Sequence, residues 1–156
     1  MPKFSVIVIS HNRPDFLKQA LESLKAQSFK DFDVLLVDSG LLYEKLIHQY
    51  YIPQDFLIDV VESHEPKNHP CPPSWIFNNF IDKTKGEYIV CLCDDDLLMP
   101  MYLETFACRL PTTNKPFCGY TGQIRLTCDN NGVTTKVNKI VYATKERSNF
   151  FIDFKI

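Results

Sequence analysis

Short apolar runs alternate along this chain with segments in which apolar residues recur every three or four positions, the rhythm of strands and helices in turn. Residues 4–10, FSVIVIS, predict a first strand. Asn12, Arg13, Pro14 and Asp15 follow as a helix start with proline in the first turn. Leu17, Ala20, Leu21 and Leu24 then share one helical face, opposite Lys18, Gln19, Glu22 and Lys25, and the helix is expected to end near Gln27. A second strand is predicted over 32–37, FDVLLV, running into the turn signal Asp38, Ser39, Gly40. A helix near 43–50 and a strand near 57–61 complete the βαβαβ rhythm of a parallel sheet.

Residues 65–74, EPKNHPCPPS, hold four prolines and no period, so a stiff loop is expected there. A helix over 74–84 leads into residues 86–100, GEYIVCLCDDDLLMP. The apolar run 88–92 predicts a central strand covered on both faces, passing without a turn into Asp94, Asp95 and Asp96. Pro100 opens a further helix with Leu103, Ala107 and Leu110 on one face. Beyond Pro116, strands are expected over 117–128 and 133–143, joined by the hairpin signal Asp129, Asn130, Asn131, Gly132.

With 156 residues, 45% of them hydrophobic, the chain suits one α/β domain with a sizeable core. A net charge of −2 offers no basic field, which argues against a nucleic-acid partner. Six cysteines show neither a CxxC pair nor zinc-like spacing, and Cys91 and Cys93, on one side of a strand, are expected to pack as small hydrophobes in a reducing, cytoplasmic setting. The apolar run at the N-terminus is too short for a signal core or a membrane span.

The carboxylate triplet carries the chemistry. Adjacent like charges raise one another's pKa unless a cation or water neutralises them. Mn²⁺ or Mg²⁺ suits such a strand end, taking one or two carboxylates and leaving positions for water and substrate phosphates. The other reading makes Asp96 the cap of the following helix. On the triplet alone the two stand level.

Residues 5–40, then Asn78 eight positions before Gly86, then the triplet and Pro100, together resemble glycosyltransferase family 2. The resemblance implies an α/β GT-A fold: a mostly parallel, Rossmann-like sheet flanked by helices, with a C-terminal hairpin region. It implies a donor-binding half over residues 1–100 and the start of an acceptor half over 101–156, truncated relative to the family. It also implies metal-dependent transfer of a sugar, with inversion, from a nucleoside-diphosphate sugar, UDP favoured, to an unidentified glycan or other acceptor. Ser10, His11 and Asn12 stand where relatives line the base and ribose, Asp38 where an acid meets the base, and Asn78 at the motif asparagine. Asp94 falls at the ribose border and Asp95 at the metal, with Asp96 as its neighbour.

Several positions depart from the family pattern. Asp38, Ser39, Gly40 has one acid fewer than the usual turn; Phe77 replaces an arginine; Cys93 stands where the first acid of the common motif would fall; and His11 replaces tyrosine. Asp153 resembles an acid of some relatives, but no residue is assigned as catalytic base. His48, His64 and His69 read as plain surface or loop positions, Trp75 as helix packing, and Lys67 and Arg13 as solvated charges. The alternative to a transferase is a donor-binding module without turnover. A phosphotransfer receiver or a nucleotidyltransferase is weaker, since residues 10–14 are not a Gly-rich basic loop. Peripheral association at the inner membrane face and a homo-oligomer covering open strand edges are both compatible with the pattern.

Overall fold

The structure is a computed structural model that describes residues 1–39, 58–63, 72–108, 110, 123–128 and 134–141. It divides into two compact units, Met1–Arg109 and Leu110–Ile156. The expected helix near 43–50, most of the proline-rich loop and the hairpin turn lie outside the described residues, as do His48, His64, His69, Lys67 and Asp153.

The first unit is built on four parallel strands. β1 (Phe4–Ser10), β2 (Phe32–Asp38), β3 (Ile58–Glu62) and β4 (Tyr88–Cys93) lie in the order β3-β2-β1-β4. Between them run α1 (Pro14–Lys25), α2 (Pro72–Phe80) with a 3₁₀ turn at Ile81–Lys83, and, after β4, the short α3 (Tyr102–Ala107). β1 and β2 are buried along their whole length. Ile7, Ile9, Leu35 and Val37 form one core with Ile76 and Phe80 of α2, with Trp75 and Phe77 packed against it. Side chains alternate along a strand, so Val6, Val8, Val34 and Leu36 point to the opposite face. They are buried too, and the buried stripe Leu17, Ala20, Leu21 and Leu24 of α1 supplies the cover that face requires.

Two boundaries differ from the sequence reading. α2 begins at Pro72, because proline is tolerated in a first helical turn, where the lost N–H has no intrahelical partner. α3 begins only at Tyr102 and its N-cap is Met101, so Asp96 does not cap it; Asp94 and Asp95 instead form a turn that the sequence did not predict. β4 also departs from expectation. Among the described residues it is an edge strand, with Leu92 buried but Ile89 38% exposed and Cys91 exposed as well. Ile89 and Cys91 register with Ser5 and Ile7, on the face that α2 covers farther along the sheet, and the cover does not reach them. Cys91 therefore does not pack as a core hydrophobe.

Hydrogen bonds lock the sheet at its amino end. The buried Ser5 hydroxyl donates to Asp33 Oδ1 at 2.5 Å and accepts from the backbone N–H groups of Lys85 (3.1 Å) and Gly86 (2.7 Å). Gly86 is pressed so close that a Cβ there would run into the Ser5 and Phe4 backbone. At the other end of α1, the buried Gln27 amide donates to Met99 O at 2.8 Å and to Ser23 O at 3.1 Å, while Gln27 Oε1 accepts Leu103 N–H at 3.1 Å. Ser23 Oγ accepts Leu98 N–H at 3.2 Å, and Ser28 N–H donates to Pro100 O at 2.8 Å. The segment after the triplet is thus fastened to the C-terminal end of α1. The second unit is described by an antiparallel pair, β5 (Gln123–Cys128) and β6 (Thr134–Val141), as the hairpin signal predicts.

Two substitutions test these locks. Gly86→Ala meets backbone rather than a yielding side chain, and is expected to cost roughly 2–3 kcal/mol in a denaturant titration. Gln27→Leu keeps the volume but leaves the buried Leu103 N–H without its acceptor and the part-buried Met99 C=O without its donor; a loss of about 2 kcal/mol is expected, and a neutral result would mean that water replaces the amide.

Candidate functional site

Strand order reverses at β1: β2 and β3 extend to one side of it and β4 to the other. The carboxyl ends of β1 and β4, neighbours across that reversal, are where open α/β sheets take ligands. Register brings the predicted residues to that end. Ser10 pairs with Asp38, Ile9 with Cys93, and Asp94 N–H continues the ladder to Ile9 O at 2.9 Å.

Asp94 is the centre of the cluster. Its side chain is fully buried, and Oδ2 accepts the His11 backbone N–H at 3.2 Å. Oδ1 lies in ion-pair contact with Arg13 Nη2 but receives no aligned hydrogen bond. Burial pushes the Asp94 carboxyl above its ordinary value, more strongly than the His11 N–H and the Arg13 charge pull it back. Arg13 also reaches Asp95, Nη1 to Oδ2 at 2.9 Å. It is not the solvated charge expected from the sequence. Three residues beyond β1, it is aimed by Asn12, whose φ of 52° is left-handed, and by Pro14, which opens α1. Adjacency of β1 and β4, which a single sequence does not declare, is what brings it onto the acids.

Ser10, His11, Asp38 and Ser39 form the neighbouring wall. Ser39 donates its N–H (2.9 Å) and its hydroxyl (3.1 Å) to the Ser10 carbonyl. His11 Nδ1 lies 3.0 Å from Ser39 Oγ, within hydrogen-bond reach. Asp38 is buried, and its carbonyl accepts Ser63 N–H at 3.0 Å. Asn78 is exposed on α2, and nothing among the described residues ties it to this cluster. Trp75 packs edge-on against Phe80 with centroids 6.4 Å apart, as helix packing predicts.

The donor set for an ion lies beside Arg13. Cys93, Asp95 and Asp96 each offer a ligand atom, all within 4.8 Å of one another. Burial, and then the three aspartates, push the Cys93 thiol up to about 11, so at neutral pH it is a protonated sulfur and a poor ligand for a hard cation. Asp96 is held above its ordinary value by burial first and then by Asp95 and Asp94. Two exposed carboxylates, Asp95 and Asp96, in reach of one another fit a divalent oxygen-seeking ion.

Comparison with known proteins bears on the family and the fold. Residues 5–153 match the family described as glycosyl transferase family 2. A GalNAc(5)-diNAcBac-PP-undecaprenol beta-1,3-glucosyltransferase of Campylobacter jejuni is 33% identical over 106 residues, 67% of this chain and 33% of that protein. The chain thus spans about a third of that relative's length. The crystal structure of S. aureus TarS 1-349 in complex with UDP is 25% identical with a TM-score of 0.56, over 68% of this chain and 31% of that one. The mannosyltransferase PcManGT of Pyrobaculum calidifontis, in complex with GDP-Man and Mn²⁺, shares the fold at 21% identity and a TM-score of 0.51, over 62% of this chain and 28% of that one. The parallel sheet with an acidic turn at its switch point is the GT-A fold, and the chain belongs to glycosyl transferase family 2.

Proposed function

We propose that the Met1–Arg109 unit binds a nucleoside-diphosphate sugar, UDP-linked by preference, at the crevice between β1 and β4, as the donor site of a metal-dependent, inverting glycosyltransferase. The observation that carries this reading is the convergence of Asp94, Asp95 and Asp96 with Ser10, His11 and Arg13 at the strand-order reversal. Similarity to a UDP-bound structure and to a glucosyltransferase supports it. Ser10, His11, Asn12 and Asp38 form the wall for base and ribose, with Asp94 at the ribose border; Asn78 joins the nucleotide-sugar-binding set on the family resemblance and not on a contact among the described residues. Asp95 and Asp96 hold Mn²⁺ or Mg²⁺, which when bound offsets the diphosphate charge and stabilises the leaving group. The His11 ring offers a flat face, while its backbone N–H keeps Asp94 in place.

The acceptor is a glycan or a related hydroxyl. No helix among the described residues is long and apolar enough to cross a membrane. Exposed free thiols at Cys91 and Cys108 suit a reducing cytoplasm, with peripheral attachment at the inner membrane face. A donor-binding module without turnover is the second reading.

Calorimetric titration of UDP and GDP, with Mn²⁺ and with chelator, tests the site. Binding of UDP that needs the ion and is lost in Asp95→Ala is expected; ion-independent binding would falsify the metal's role. Release of sugar from a UDP-sugar then separates enzyme from module. The acid cluster makes a second prediction for the metal-free protein. Asp96 in the fold holds its proton to higher pH than in the unfolded chain, so its ionisation weakens the fold as pH rises through that raised value. Asp96→Asn is therefore expected to raise the melting midpoint at pH 7 in chelator, with the gain shrinking as pH falls toward 4; a lowered midpoint at pH 7 contradicts the assignment.

A further inference from the structure

We infer that Arg13 is an exchangeable counter-cation: its guanidinium holds the acidic turn together in the free protein, yields Asp95 to the divalent ion, and turns to the donor's diphosphate. This rests on the metal reading above. The guanidinium forks across two carboxylates, Nη2 on Asp94 Oδ1 and Nη1 on Asp95 Oδ2 at 2.9 Å, and Asp95 is one of the three residues that can hold the ion. An ion on the Asp95 carboxylate would stand about 4–5 Å from that guanidinium, where two cations repel strongly unless water intervenes. They therefore compete for one carboxylate.

The architecture permits exchange. The Arg13 backbone is fixed, since its carbonyl accepts the Leu17 N–H at 3.0 Å as the first bond of α1. Its side chain is 43% exposed, leaving a long flexible stem with room on the solvent side. Asp94 also accepts the His11 backbone N–H, a bond that does not involve the Arg13 side chain, so the turn has a second anchor when Arg13 changes partner. A planar fork released from carboxylates matches phosphate oxygens in the same bidentate way.

The test is a pair of opposite shifts in one variant. Mn²⁺ alone is titrated into the full chain and into Arg13→Gln, the free ion being counted by electron paramagnetic resonance, with Asp95→Ala as control and melting midpoints recorded beside them. Loss of a half-exposed competing ion pair is expected to tighten Mn²⁺ about two- to fivefold. In saturating Mn²⁺ the same variant is expected to bind UDP about tenfold more weakly, because a charge-assisted phosphate contact is gone. Arg13→Lys, which keeps the charge without the fork, should fall between the two on both readouts and serves if Arg13→Gln does not fold. Weakening of both ligands together marks a structural role and overturns the exchange, as does unchanged Mn²⁺ affinity; in either case Mn²⁺ binding that Asp95→Ala abolishes leaves the metal reading standing. No Mn²⁺ bound to any form overturns both.

Discussion

One buried negative charge organises the carboxyl end of this sheet. Asp94 ends β4 with its side chain out of solvent, and an ionised carboxylate in such a place needs donors and counter-charge. The His11 N–H and the Arg13 guanidinium provide them, and both come from the loop after β1. That demand fixes the path of the loop: Asn12 takes a left-handed conformation that a short polar side chain tolerates, and Pro14 starts the helix at once. The wall made by Ser10, His11 and Ser39 and the exposed pair Asp95 and Asp96 follow from the same turn.

The opposite end of the sheet solves a different problem. There the Ser5 hydroxyl satisfies one carboxylate oxygen and two backbone N–H groups, and the absence of a side chain at Gly86 lets β4 enter against β1. Small, fully bonded groups set the register at one end so that charged, incompletely bonded groups can face each other at the other. The parallel ladder between Phe4 and Tyr88 at one end and Ile9 and Cys93 at the other carries that register across the unit.

Much of this was legible in the sequence, and the reasons are local. The first strand is FSVIVIS because an unbroken apolar run can only sit inside a doubly covered sheet, and the stripe at Leu17, Ala20, Leu21 and Leu24 has the helical period of a buried face. Asp38 and the triplet stood out because polar residues at the end of apolar runs mark the carboxyl edge. What stayed hidden depends on which strands are neighbours. Arg13 read as a surface charge because its partners are more than eighty residues away, and β4 read as central because composition reports apolar character and not position in the sheet. The role of Gln27 was hidden for the same reason: its partners are Leu98, Met99 and Leu103, and nothing in its own surroundings announces them.

Helix α1 touches the segment after β4 at both of its ends, and the two attachments are of unlike kinds. Near its C-terminus the bonds are neutral and largely buried, through Ser23, Gln27 and Ser28 to Leu98, Met99, Pro100 and Leu103. Just before its N-terminus they are ionic and half exposed, through Arg13 to Asp94 and Asp95. The segment is thus a strap with one buckle that ionic strength loosens and one that it does not touch. Salt therefore acts on this strap from one side only, slackening its acidic start while its later residues keep their place.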